Sequence, residues 1–147
     1  MSMFETIFTA REGYFIIDVI LCLVLGYIIG AERESRGKDA GISTHIFVIL
    51  GAMLFAFMSL SVDTASKSIA AGIVTGIGFL GAGLIMKDGT NVRNLTTAAS
   101  IWFAGAIGMA IGFNYYLVAI IAAVISVITP RIPHINKKSP ESVTNKL

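Results

Sequence analysis

Five apolar stretches, separated by short groups of charged and turn-forming residues, restrict this chain more than any other feature: Tyr14–Ala31, Ile42–Leu60, Ile69–Met86, Leu95–Phe113 and Tyr115–Thr129. Each is about 15–19 residues long, or roughly 23–29 Å as helix, close to the hydrocarbon thickness of a bilayer. Of the 147 residues, 55% are hydrophobic and 14% charged, where soluble domains carry roughly 25% charged residues. So small a chain cannot bury that much apolar surface within itself, and lipid must cover the remainder. The predicted fold is all-α: a polytopic transmembrane bundle of about five helices over residues 14–129. A short outer segment (1–13) precedes it and a flexible cytoplasmic tail (130–147) follows, holding all three prolines.

The first stretch lacks the flanks of a signal peptide. Glu5 and Glu12 precede it beside Arg11, and Glu32, Arg33 and Glu34 follow it in place of a small-residue cleavage site. It is expected to stay as a helix. Five crossings sort the 11 Lys and Arg residues into two on one side (Arg11, Lys67) and nine on the other (Arg33, Arg36, Lys38, Lys87, Arg93, Arg131, Lys137, Lys138, Lys146). The positive-inside rule then places the N-terminus out and the C-terminus in. Tyr14, Phe15, Tyr115 and Tyr116 fall at the outer interface of this arrangement, where amphipathic rings prefer to lie.

The third stretch is dense in glycine: Gly72, Gly76, Gly78, Gly81 and Gly83. Gly72 and Gly76 share a helix face and permit close backbone approach, and Gly26 and Gly30 on the first helix offer a matching groove. One reading is tight helix packing, within the monomer or across a homo-oligomer. The other is a partly unwound segment from Gly76 to Gly83 whose free carbonyls meet an ion, tolerated only where protein or a watery cavity covers it.

Ionisable groups inside a membrane are costly and therefore candidates for function. Asp18 lies well inside the first helix near its outer end, either binding a cation or staying hydrated among headgroups. A richer set is expected at the cytoplasmic edge: Glu32, Arg33, His45, Asp88, Asn91, Arg93, Thr96 and Thr97, with Asn94 as the N-cap of the fourth helix and Glu32 as the natural partner of Arg93. Asp18 cannot join them, since 14 residues of helix, about 21 Å, separate it from Glu32. Cys22 is the only cysteine, so no intramolecular disulfide and no cysteine metal site is expected. A net charge of +2 gives no reason to expect nucleic acid. No catalytic triad, phosphate loop or His-Glu-x-x-His motif is present, so an enzyme is not expected. His134 is read as solvated.

Four motifs carry a resemblance: Gly30-Ala31-Glu32-Arg33-Glu34, Ala40-Gly41-Ile42-Ser43-Thr44-His45, the run Gly76 to Met86, and Asn91-Val92-Arg93-Asn94-Leu95-Thr96-Thr97-Ala98-Ala99. Over roughly residues 12–129 the chain resembles the MgtC/SapB family of bacterial inner-membrane proteins. The resemblance implies a multi-pass protein of the cytoplasmic membrane, linked to magnesium homeostasis and growth in low magnesium, to virulence, and to restraint of the membrane ATP synthase. Two departures stand out: Ser43 replaces an arginine common in the family, and longer members carry a soluble C-terminal domain that this chain is expected to lack.

Three functions compete. The first is a non-enzymatic regulator that binds another membrane protein, such as the ATP synthase, through glycine-lined faces. The second is an oligomeric transporter or channel for Mg²⁺ or another cation, with Asp18 near the entrance and Glu32 and Asp88 at the inner mouth. The third is a passive scaffold. No cofactor is expected, and Mg²⁺ stays open as a ligand. Membrane-impermeant labelling is expected to reach the segments around Arg36 and Asn91 from the same side of the bilayer; reactivity from opposite sides would overturn the five-crossing arrangement.

Overall fold

The computed structural model describes residues 10–60, 66–89 and 91–132. The five apolar stretches form helices α1 (Ala10–Ser35), α2 (Ile42–Ser59), α3 (Ser66–Leu84), α4 (Leu95–Gly112) and α5 (Tyr116–Ile128), and a short 3₁₀ turn covers Thr129–Arg131. Three of them are long and apolar enough to cross a membrane, over Gly13–Ser35, Ile42–Ser59 and Leu95–Gly112; α3 and α5 are apolar but shorter. His134, Lys137, Lys138 and Lys146 lie outside the described residues, as does most of the predicted outer segment.

One element was not expected. Strands β1 (Met86–Asp88) and β2 (Asn91–Arg93) pair antiparallel between α3 and α4, with Met86 opposite Arg93 and Asp88 opposite Asn91. Two residues, 89 and 90, separate the paired Asp88 and Asn91, and Gly89 adopts the left-handed φ of +57° that primed hairpin turns require at their first central position. The signal is hard to read because strands of three residues, exposed throughout, carry no alternating pattern. The loop from α1 to α2 turns differently. Gly37 at φ +64° lets its own N–H reach the Glu34 carbonyl at 2.9 Å while the Lys38 N–H reaches that of Arg33 at 3.1 Å, a Schellman ending for α1. Lys38-Asp39 in this loop and Lys87-Asp88 before the hairpin turn thus share a sequence but serve different turns.

Helix α4 is the centre of the bundle, packing against α2 most extensively and also against α1, α3 and α5. Cys22, Leu25 and Ile29 of α1, Ile49 and Met53 of α2, Ala104, Ile107 and Ile111 of α4, and Ala119 and Ala123 of α5 form one buried apolar cluster. Large apolar side chains also face outward: Phe47 is 74% exposed and Phe79 81%. A water-soluble fold rarely tolerates such faces, whereas lipid solvates them.

Small residues set the closest approaches. A Cβ on Gly26 would lie 2.8 Å from the Ile46 Cα, and one on Gly30 would strike the α2 backbone at Ile42. On α4, a Cβ on Gly108 would strike the Ile49 carbonyl, and one on Gly112 would lie 2.6 Å from the Ala56 Cβ. Gly26 and Gly30 therefore pack against α2, not against the glycines of α3. The reason is local: α2 presents its own backbone at Ile42 and Ile46, where any side chain on α1 would collide. Gly78→Ala, with nothing within 4 Å of the new Cβ, is expected to raise stability by about 0.5–1 kcal/mol through helix propensity. Gly108→Ala should lower it by roughly 1–3 kcal/mol through overpacking, and thermal unfolding in detergent measures both.

Candidate functional site

Up-and-down threading brings the end of α1, the starts of α2 and α4 and the end of α5 together at one end of the bundle. Glu32 and Arg33 occupy the last turn of α1, where a cation also complements the helix dipole. Arg33 is 1% exposed, and its Nη2 donates to Thr97 Oγ1 at 3.3 Å. His45 is fully buried in the first turn of α2; Nδ1 lies 2.9 Å from the Gly41 carbonyl, which can only accept, so this nitrogen carries the proton. Glu32 is buried too, with Oε1 at 3.6 Å from Arg36 Nη1 and 4.0 Å from Arg131 Nε. Two contacts tie the surrounding loop down: Glu34 Oε2 accepts from the Ile42 N–H at 3.3 Å, and Asp39 Oδ2 accepts from Asn94 Nδ2 at 2.7 Å.

Among the described residues, Arg33 Nε, His45 Nε2 and both carboxylate oxygens of Glu32 are buried without a hydrogen-bond partner. Buried polar atoms without a hydrogen bond are expensive and uncommon in folded proteins. Their concentration at one end marks it as the candidate site.

The other expected members of this edge do not enter it. Asp88, Asn91 and Arg93 are exposed on the hairpin, and Thr96 is exposed at the start of α4. The pairing of Glu32 with Arg93 is not formed: Glu32 meets Arg36 and Arg131 instead, because β2 carries Arg93 away on an exposed strand. Asn94 does occupy the N-cap position of α4, but at φ 63° its side chain makes no cap bond and binds Asp39. Arg36, Asp39 and Arg131 were missed by sequence reasoning. Only the i, i+4 spacing of Glu32 and Arg36 signalled any of them. Ser43, the departure from the family pattern, is exposed in the first turn of α2.

The opposite end holds a smaller polar pair. Asp18 is 1% exposed, so it does not stay hydrated among headgroups; Tyr116 donates to its Oδ1 at 2.9 Å, and Oδ2 has no partner among the described residues. Between the two ends lie Cys22, Leu25, Ile29, Met53 and Ile107, all buried. That layer is closed to a hydrated ion. Helix α3 runs unbroken from Ser66 to Leu84, so the glycine run is not unwound and its carbonyls serve the helix. Gly81 lies against Ala98, whereas Gly72, Gly76, Gly78 and Gly83 have nothing within 4 Å of a built Cβ. No group of three or more His, Cys, Asp or Glu side chains among the described residues is placed to hold a metal ion.

A helical bundle with apolar outer faces, an apolar centre and ionisable side chains buried near its two ends has the construction of a membrane protein. The chain belongs to the MgtC family, which it matches over residues 19–135. It is 43% identical over 112 residues to the protein MgtC of Salmonella typhimurium (strain LT2), covering 76% of this chain and 48% of the relative. It is 41% identical over 130 residues to YhiD of Escherichia coli (strain K12), named as a candidate magnesium transporter, covering 82% and 60%. To the protein MgtC of Brucella abortus (strain 2308) it is 45% identical over 103 residues, covering 69% and 43%. The chain spans about half the length of the curated relatives it matches. No solved structure matches it.

Arg33→Ala is expected to cost about 1.5–3 kcal/mol, the usual worth of a buried hydrogen bond from a charged group. Arg93→Ala should stay within about 0.5 kcal/mol, as exposed substitutions do. Chemical or thermal unfolding in detergent compares the two directly, and equal losses would contradict the placement of Arg93 outside the cluster.

Proposed function

We propose that this magnesium-related membrane protein acts without catalysis, as a regulator that seats a helix of a second membrane protein in the groove between α2 and α3. One observation carries the reading. A groove of about 660 Å³ is lined by Gly51, Gly72 and Gly76 together with Phe47, Phe55 and Leu80, and the bundle fills none of it. Interfaces between membrane helices favour small residues because backbones can then approach closely, and van der Waals packing drives the association. The membrane ATP synthase, which the family resemblance brings forward, is the first partner to test. Residence in the bacterial inner membrane, with the basic loops on the cytoplasmic side, belongs to the same reading, as does a homo-oligomer formed outside this groove.

A cation-transport reading is favoured by the name of the YhiD relative and by Asp18 Oδ2 and Glu32 Oε2, buried oxygens that accept no hydrogen bond among the described residues. The apolar layer between those two carboxylates weighs against passage through a single bundle. Gly72→Leu and Gly76→Leu place side chains where the fold has open space, so the unfolding midpoint should be kept. Co-purification of ATP synthase subunits and growth in low magnesium should both be lost. Retention of both, combined with Mg²⁺ flux into liposomes that Glu32→Ala abolishes, would replace this reading with transport.

A further inference from the structure

On another flank of the bundle, where α1, α4 and α5 meet, a second groove of about 470 Å³ begins at the charged end. Its mouth is basic, lined by Arg33, Arg36 and Lys38, and further along it is walled by Ser100, Trp102 and Ile125. No acidic residue lines it among the described residues. Glu32 sits beside it, shared between Arg36 and Arg131, and Glu34 and Asp39 are engaged by the Ile42 N–H and by Asn94, so three cations line the groove with no carboxylate among them. Arg33 supplies an independent sign of a missing ligand. It is 1% exposed, lines the mouth, and keeps a buried Nε with no hydrogen-bond partner among the described residues.

Cations above an apolar slot suit an amphiphile with an anionic head. We infer that this groove binds an anionic phospholipid, with its phosphate at Arg33, Arg36 and Lys38 and an acyl chain along Trp102 and Ile125. A planar guanidinium presents forked donors that match phosphate oxygens, which would complete Arg33. Basic pockets between helices at the membrane surface recognise lipid headgroups in this way. A free phosphate would leave the apolar wall unused, and that wall identifies a lipid as the occupant.

Trp102 is the only tryptophan of the chain and is half-exposed in the groove, so it reports on the occupant. The full chain is reconstituted in mixed phosphatidylcholine and phosphatidylglycerol vesicles, with bromine on the acyl chains of one lipid or the other at equal mole fraction. Quenching of Trp102 is expected to favour brominated phosphatidylglycerol roughly fivefold. The double variant Arg36→Gln, Lys38→Gln should bring the ratio near one. Ala99→Leu, which narrows the groove without changing charge, should do the same while the unfolding midpoint is kept. Four results would overturn the inference: equal quenching by the two lipids; selectivity that survives Ala99→Leu, which means diffuse surface attraction; selectivity erased by added inorganic phosphate, which means a free anion; and selectivity that falls as the ratio of protein to lipid rises, which means a second copy occupies the groove.

Discussion

Backbone-to-backbone contact between helices is the constraint on which the rest of this structure depends. Gly108 and Gly112 let α4 lie directly on the carbonyl side of α2, and Gly26 and Gly30 let α1 do the same against the start of α2. In lipid the hydrophobic effect gives no net drive between apolar helices, so dispersion at such close approaches holds them together. At Gly30 and Ile42 this approach lies within one turn of the charged end. It therefore also fixes how far Glu32 and Arg33 reach into the bundle.

The burial of those charges follows from that geometry. With α1 and α2 pressed together, Arg33 is buried beside the groove and settles on Thr97 of α4, while His45 bonds back to the Gly41 carbonyl. Glu32 draws in Arg36 from just past the end of α1 and Arg131 from beyond α5. Asp18 and Tyr116 form a separate polar contact at the far end. The layer of Cys22, Leu25, Ile29, Met53 and Ile107 keeps the two apart. A dry centre with polar ends gives a rigid platform more readily than a conduit, and its unfilled surfaces lie on the flanks.

Those flanks differ in chemistry. Between α2 and α3 the surface is apolar and floored by glycine, suited to another helix. Where α1, α4 and α5 meet it is basic above and aromatic below, suited to a lipid with an acidic head. Helix α4 lies behind both, since it packs on all four other helices.

Helix number, approximate bounds and class were legible from the sequence because hydropathy and the need to satisfy backbone hydrogen bonds in lipid act on local runs of residues. Asp18, Glu32, Arg33, His45 and Thr97 could be singled out as costly or polar residues in apolar surroundings, and the family motifs run through four of them. What each residue touches was settled only in three dimensions. Gly105, Gly108 and Gly112 of α4 looked no different from the glycines of α3, yet the first three meet neighbours while Gly72, Gly76, Gly78 and Gly83 face open space. Arg93 looked the equal of Arg33, yet a hairpin of three-residue strands carries it outward. A periodic pattern specifies which residues share a helix face; it does not specify which neighbour that face meets, because that choice depends on contacts between residues distant in the chain.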